Sequence, residues 1–245
     1  MTALGTIVRF VEQIGKCLLD FAIPWRCMLC GAVLPSNTQW HYLCRQCFDS
    51  LHPAPPPQQL LAIAQEHSGD LDDCPLSLVI ARWSADPRQA GLFRLIYALK
   101  YYGYWQVGVE LGIELGAAVQ LLAPTRYDAI VPVPIHPARR RERGYNQADA
   151  IAEGVQRLLR IPVLLDAIRR TRYTQSQTRL SAGERRTNTE GAFGQGSQAA
   201  RLQGATILLV DDVFTTGSTL RSVATCALEL GAARADAATL VAARQ

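Results

Sequence analysis

Two groups of residues in this chain have the types and spacing to do chemistry. The first is Asp211-Asp212, which follows the apolar run Ile207-Leu208-Leu209-Val210 and precedes Val213-Phe214 and Thr215-Thr216-Gly217-Ser218-Thr219. Adjacent carboxylates suit the two hydroxyls of a ribose, or Mg²⁺ held through water. Small loop residues let backbone N–H groups close around a phosphate, and Thr215, Thr216, Ser218 and Thr219 add hydroxyl donors. A helix N-terminus just beyond would contribute unpaired N–H groups and a partial positive charge. The competing reading is an ordinary strand–turn–helix whose Asp and Thr residues cap the helix.

The second group is Cys27-x₂-Cys30 and Cys44-x₂-Cys47, with thirteen residues between the pairs. Two such pairs make two knuckles, and four thiolates satisfy a tetrahedral Zn²⁺. Gly31 suits the knuckle turn. Two disulfides or a rubredoxin-type iron centre are the rivals, and disulfides need an oxidising compartment. A closed four-thiolate site is a scaffold, not a catalyst. His41 and His52 are further donors, but four cysteines already complete the set. Cys17, Cys74 and Cys226 stand alone and read as small apolar packing groups.

The elements that must position these residues follow from hydrophobic periodicity. Residues 4–20 pattern as a helix with one apolar face, and the cysteine ribbon spans 24–50. Pro53-Ala54-Pro55-Pro56-Pro57 marks a stiff connection. The expected division is 1–52 for the N-terminal helix and ribbon, 53–77 for a Pro-rich linker, and 78–245 for the main domain. Within the last, strands are expected at 78–83, 128–134, 163–168, 206–211 and 236–242. Helices are expected at 87–100, 106–122 and 146–160, and a further one after Thr219. Alternating strands and helices predict a parallel α/β sheet flanked by helices, whose buried strands are apolar on both faces.

Three more segments offer polar groups. Val131-Pro132-Val133-Pro134 leads into Arg139–Gln147, which reads RRRERGYNQ. The prolines force extended backbone and allow an unusual peptide geometry. Arg143, Gly144, Asn146 and Gln147 fall at the next helix start, where Arg can offer a fork to phosphate oxygens. A proline turn with a helix cap accounts for the same residues. Lys100, one of two lysines in the chain, ends the 87–100 helix; a simple match to the helix dipole explains it equally. Residues 171–189 are polar and read as a mobile loop that closes as a lid, with a plain surface loop as the alternative.

In order and combination these segments resemble the ComF (GntX-like) family. The resemblance covers nearly the whole chain and rests on the four-cysteine module, LIYALKYYG, VPVPIHPARRRERGYNQA, TQSQTRLSAGERRTN and LLVDDVFTTGST. The last of these is similar to the phosphoribosyl-pyrophosphate (PRPP) loop of type I phosphoribosyltransferases. It implies a type I phosphoribosyltransferase-like fold with a small N-terminal zinc ribbon, structural Zn²⁺, and Mg²⁺ accompanying PRPP. It implies that Asp211 and Asp212 bracket the ribose hydroxyls, that Val213 and Thr215 through Thr219 complete the PRPP site, and that Arg143 joins the two acids in catalysis. Lys100, Arg143, Gly144, Asn146 and Gln147 would bind pyrophosphate, and Gln175, Arg179, Arg185 and Asn188 would belong to the flexible loop. The family link is to DNA uptake in natural competence, on the cytoplasmic side of the membrane. Two functions follow: transfer of a phosphoribosyl group to an acceptor the sequence does not name, or a non-catalytic adaptor that handles single-stranded DNA beside a competence helicase. For the adaptor, Tyr101, Tyr102, Tyr104, Trp105 and Tyr145 are the candidate stacking residues.

Bulk properties are compatible with both. The 245 residues are 49% hydrophobic and 19% charged with a net charge of +4, which fits a globular protein and does not mark a nucleic-acid binder. Twelve arginines against six acids lie between His136 and Glu190, which suits anionic ligands or a solvated surface. No run of about eighteen apolar residues predicts a membrane span. Arg9, Glu12, Lys16 and Asp20 interrupt the N-terminal apolar residues, unlike a signal peptide. Peripheral membrane association through that helix is the lesser expectation, since its polar face is not especially basic.

Overall fold

The computed structural model describes residues 25–35, 40–66, 74–85, 90–171 and 191–243. The expected 4–20 helix and most of the expected 171–189 loop, including Gln175, Arg179, Arg185 and Asn188, lie outside the described residues. The chain forms two compact units, Met1–Leu51 and His52–Gln245.

In the first unit, an antiparallel bridge between Arg26 and Val33 closes the first cysteine knuckle. Gly31 turns there with φ 75°, and its N–H donates to the Cys27 carbonyl at 2.8 Å. The second knuckle leads into the short helix α1 (Arg45–Asp49), whose N-cap is Cys44. Trp40 stacks on Phe48 at 4.0 Å.

The second unit is built on four parallel strands, β1 (Val79–Ala85), β2 (Ala129–Pro132), β5 (Thr206–Phe214) and β6 (Arg234–Ala243), in the order β1-β6-β5-β2. Their interiors are apolar because both faces are covered. On one face, Val79, Ala81, Val131, Ile207 and Leu209 share a core with α2 (Pro57–Glu66), α7 (Ser218–Glu229) and the hairpin β3 (Ile168–Arg170)–β4 (Phe193–Gln195). The alternate residues Ile80, Ile130, Leu208 and Val210 are fully buried on the other face. Packed around them are α3 (Ala90–Tyr101), α4 (Trp105–Leu122) and α6 (Gln147–Leu159). The short helix α5 (Pro137–Arg143) joins β2 to α6. Helices α4 and α6 lie close enough that a Cβ on Gly112 would stand 2.2 Å from the Ile151 carbonyl oxygen. Glycine is therefore required at that crossing.

Three details depart from the sequence expectations. The strand expected at 206–211 runs on to Phe214, so both acidic residues belong to it and pair onward with β6 at Asp211↔Thr239 and Val213↔Val241. The strand expected at 163–168 shrinks to one parallel bridge, Ile130↔Val163, because the chain turns away before β3. The Pro-rich segment is not a bare linker. Pro53 bridges to Trp83, and α2 begins on Pro57, where the missing N–H costs nothing. Leu60 and Ala64, one turn apart, are buried in the core. No cis peptide bond occurs among the described residues, so Pro132 and Pro134 act by keeping the backbone extended, while Pro137 opens α5.

Candidate functional site

All four strands are parallel, so their C-terminal ends meet along one edge of the sheet, where open α/β sheets gather ligands. Asp211 and Asp212 lie there, near the end of β5. Because side chains alternate along a strand, the two carboxylates leave opposite faces. Asp212 turns to α3, where its Oδ2 sits 2.7 Å from Lys100 Nζ, with the acid side chain 6% exposed. Burial opposes the lysine charge, but the Asp212 carboxylate outweighs it and holds the ammonium above its ordinary value. Asp211 Oδ1 accepts from the Asp212 N–H at 2.8 Å. Burial first, and then the Asp212 charge, push the Asp211 carboxyl up to about 7. Burial and a like charge nearby both favour the protonated form of Asp211.

The threonine-glycine loop follows. Gly217 is buried at φ 72° and ends the loop as the N-cap of α7. A Cβ there would meet Phe214 at 2.9 Å and Ala64 at 3.2 Å, so both conformation and space demand glycine. Thr216, Ser218 and Thr219 are half-buried around it and Thr215 is exposed. Arg221, in the first turn of α7, donates to the Ala64 carbonyl at 3.2 Å and ties the loop to α2.

The RRRERGYNQ segment stands beside the acids. Arg143 Nη1 donates to Gln147 Oε1 at 3.0 Å, and its guanidinium lies 5.2 Å over the Tyr101 ring. Its positive charge also acts on Lys100. Gly144 takes the left-handed conformation (φ 82°) that stops α5. Asn146 caps the next helix, the alternative its spacing allowed. Its Nδ2 donates to the Val133 carbonyl at 3.0 Å and to Asp149 Oδ1 at 2.8 Å, and its Oδ1 caps α6 through the Ala148 N–H. With those atoms engaged inside the protein, Asn146 shapes the loop. Lys100, Arg143, Asp211 and Asp212 are thus brought together, with Val213 and the threonine loop directly beyond.

Sequence reasoning passed over two residues. Arg170, at the end of β3, is pushed below its ordinary value by burial and by the neighbouring charge of Arg139, while Asp211 pulls the other way. Arg139 and Arg170 therefore add positive potential on the Asp211 side. The clue available was a cluster of arginines, which does not say which of twelve point inward. Asp149 was also missed; it pairs with Arg140 at 3.2 Å and helps hold Asn146.

In the first unit, the sulfurs of Cys27, Cys30, Cys44 and Cys47 all lie within 4.8 Å of one another, and Cys30 and Cys44 are 3.7 Å apart. Four sulfurs about 2.3 Å from a zinc ion stand about 3.8 Å apart on a tetrahedron, so the set can hold a metal ion such as zinc. Burial raises the Cys27 thiol, but hydrogen bonds at Cys30, Cys44 and Leu29 outweigh it and bring it down to about 6. Burial and the surrounding sulfurs push Cys47 well up. His41 packs edge-on against Trp25 at 5.5 Å, outside the cluster.

An open parallel sheet with paired acids, a threonine-glycine loop and a facing lysine is of phosphoribosyltransferase-type fold. The family described as the phosphoribosyl transferase domain matches residues 142–245. The DNA utilization protein YhgH of Escherichia coli is 32% identical over 210 residues, 84% of this chain and 79% of that protein. Competence protein F of Haemophilus influenzae is 40% identical over 104 residues, 42% of this chain and 45% of that protein. Competence protein ComFC of Bacillus subtilis is 36% identical over 110 residues, 45% of this chain and 42% of that protein. The chain thus spans less than half the length of the two competence proteins and most of YhgH. It belongs to the ComF/YhgH family of competence and DNA-utilization proteins.

Proposed function

We propose that the second unit binds PRPP together with Mg²⁺ at the C-terminal edge of the sheet, and that the protein serves DNA uptake and utilization in the cytoplasm. The convergence of Lys100, Arg143 and the Asp211–Asp212 pair on the mouth of a glycine-tight anion loop carries this reading. Asp211 and Asp212 take the ribose 2′- and 3′-hydroxyls, and Thr215 through Thr219 with the start of α7 take the 5′-phosphate. Arg143 and Lys100 face the pyrophosphate, with Gly144 and Gln147 setting the approach. Mg²⁺ supplies neutralisation of the diphosphate charge. In transfer, the bond from C1′ to a pyrophosphate oxygen breaks, and its electron pair leaves with pyrophosphate. A lone pair of the acceptor forms the new bond. The protein contributes position and positive potential more than covalent chemistry. In the first unit, the four cysteines hold structural Zn²⁺. Calorimetric titration with PRPP, with and without Mg²⁺, tests the reading: metal-dependent binding is expected, and no binding under either condition overturns it.

A second reading has its own observation. Tyr97, Tyr101, Tyr102 and Tyr104 are all exposed, Tyr102 at 68%; the Tyr97 ring lies 4.5 Å from Tyr101 and 5.7 Å from Tyr102, and Tyr102 lies 6.4 Å from Tyr104. Arg143 lies against the same patch. Such a row of aromatic faces next to basic residues suits single-stranded DNA. Binding that weakens steeply with salt, and further on Tyr102→Ala, is the expected signature.

A further inference from the structure

We infer that a cavity at the N-terminal edge of the sheet, opposite the acidic edge, binds a free α-amino acid with an apolar side chain. The cavity, about 490 Å³, lies where the end of α4, the turn into β2 and the end of α6 meet. That volume is within the usual range of small-molecule sites, about 300–1,000 Å³. Tyr127 lines it two residues before β2 begins, whereas Asp211 and Asp212 stand near the far end of β5. In a parallel pair these are opposite edges, so the cavity is a separate site and does not depend on the phosphoribosyl reading.

Three observations set its chemistry. The first is a cation. Among the described residues Arg126 is the charged one in the lining. Asp128, two residues on, accepts from the Thr206 N–H at 2.8 Å. Asp236 accepts from the Tyr127 hydroxyl at 2.9 Å and lies 3.0 Å from Arg234 Nε. Both acids are thus held by other groups, and an entering carboxylate meets the guanidinium fork of Arg126. The second is an acceptor. Helix α4 ends at Leu122, and the Ala123 N–H bonds the Val119 carbonyl. Pro124 follows and has no N–H to give the Gln120 carbonyl. Gln120 and Pro124 both line the cavity. Leu159, the last residue of α6, lines it too, so two helix C-termini bring partial negative charge to one place. An ammonium group answers them.

The third is the apolar wall. Val119, Leu159 and Ile161 line the cavity, and the Tyr127 hydroxyl is engaged inside the protein with Asp236. An aliphatic or aromatic side chain covers this surface. Simpler ligands meet only part of these demands. An apolar acid leaves the helix ends unanswered, and an apolar amine leaves Arg126 unanswered. A phosphate monoester brings two charges to one arginine beside two partly negative helix ends. An apolar α-amino acid meets all three and carries no net charge.

Saturation-transfer NMR on the full chain tests this, with leucine and phenylalanine as probes. Leucinamide lacks the carboxylate, N-acetylleucine lacks the ammonium, and aspartate lacks the apolar side chain. Leucine and phenylalanine should give saturable signals, and each of the other three should bind at least about tenfold more weakly. Arg126→Gln, at an exposed position, should weaken leucine binding about tenfold or more with the Trp83 and Trp105 indole signals unmoved. Pro124→Ala restores an N–H for the Gln120 carbonyl and should weaken leucine binding several-fold. The proposal fails if neither amino acid binds, if aspartate matches leucine, or if either substitution leaves leucine binding unchanged. It also fails if N-acetylleucine or leucinamide matches leucine, which would mark a peptide C-terminus or N-terminus as the ligand in place of a free amino acid.

Discussion

The cysteine cluster and the acidic edge of the sheet are opposite answers to one electrostatic problem. Each gathers groups whose charged forms repel. At the sheet edge, the chain supplies its own counter-charges: Lys100 stands 2.7 Å from Asp212, and Arg170 acts on Asp211. A fully apolar core holds the strand that carries the acids. In the first unit the four sulfurs lie within 4.8 Å of one another. Its buried apolar residues are Cys27, Leu34 and Leu43 among the described residues. We propose that the acidic edge is assembled by the fold before it receives a ligand, and that the cysteine site relies on a bound metal to assemble the fold.

The largest effect expected from this contrast is selective unfolding on metal removal. A structural metal in a small unit supplies on the order of 10 kcal/mol of folding free energy. Chelation, or Cys27→Ser, should therefore unfold the first unit and leave the second native. The four tryptophans report it cleanly, since Trp25 and Trp40 lie in the first unit and Trp83 and Trp105 in the second. Loss of the first two indole NMR signals with retention of the others is the expected result. Concerted loss of all four would break the comparison. Next in size, Asp211→Asn with Asp212→Asn should weaken Mg²⁺–PRPP binding by about 100-fold or more, roughly 2.7 kcal/mol, with the Trp83 and Trp105 signals unmoved. Unchanged affinity in calorimetry would remove these acids from the site.

These two sites were not equally legible in the sequence. The cysteine spacing and the run Ile207–Thr219 carry their meaning locally: a knuckle, or a strand that must be apolar and a loop that must be small. The partners of the acids do not. Lys100 reaches Asp212 from an element more than a hundred residues earlier in the chain, and apart from the resemblance only its rarity hinted at it. Arg139 and Arg170 were hidden among like residues, because composition cannot say which arginine faces inward. The proline cluster at 53–57 signalled a connection, while the buried spacing of Leu60 and Ala64 right behind it made a helix that props the threonine-glycine loop. Asn146, a ligand by the resemblance, was also legible as a helix cap, and it caps α6.

Smaller effects sharpen the contrast at the preassembled site. Gly217→Ala should cost about 1–3 kcal/mol, since the new methyl meets Phe214 and Ala64 in a left-handed backbone. A fall in the thermal midpoint of the second unit alone, seen at Trp83 and Trp105, is the expected readout. A midpoint equal to that of the unsubstituted chain would mean that α2 and the loop are not held together as described.

The mildest test is pH, and it separates binding from folding at one carboxyl. Burial, with the Asp212 charge behind it, raises Asp211 from 3.8 to about 7 in the native state. Between those values the folded protein holds a proton that the unfolded chain has released. The stability linked to this group is therefore present below the unfolded value and is lost as pH rises through about 7. Cation binding runs the other way, because the ion must displace the same proton. Below about pH 7, Mg²⁺-dependent PRPP affinity should fall by up to about tenfold per unit, with proton release on binding. Acidification from about pH 8 to about pH 6 should then weaken the ligand while the Asp211 contribution to stability grows. Asp211→Asn should abolish both slopes. If affinity and stability instead moved together with pH, Asp211 would not be the titrating group, and the proton would have to lie on another residue near the loop.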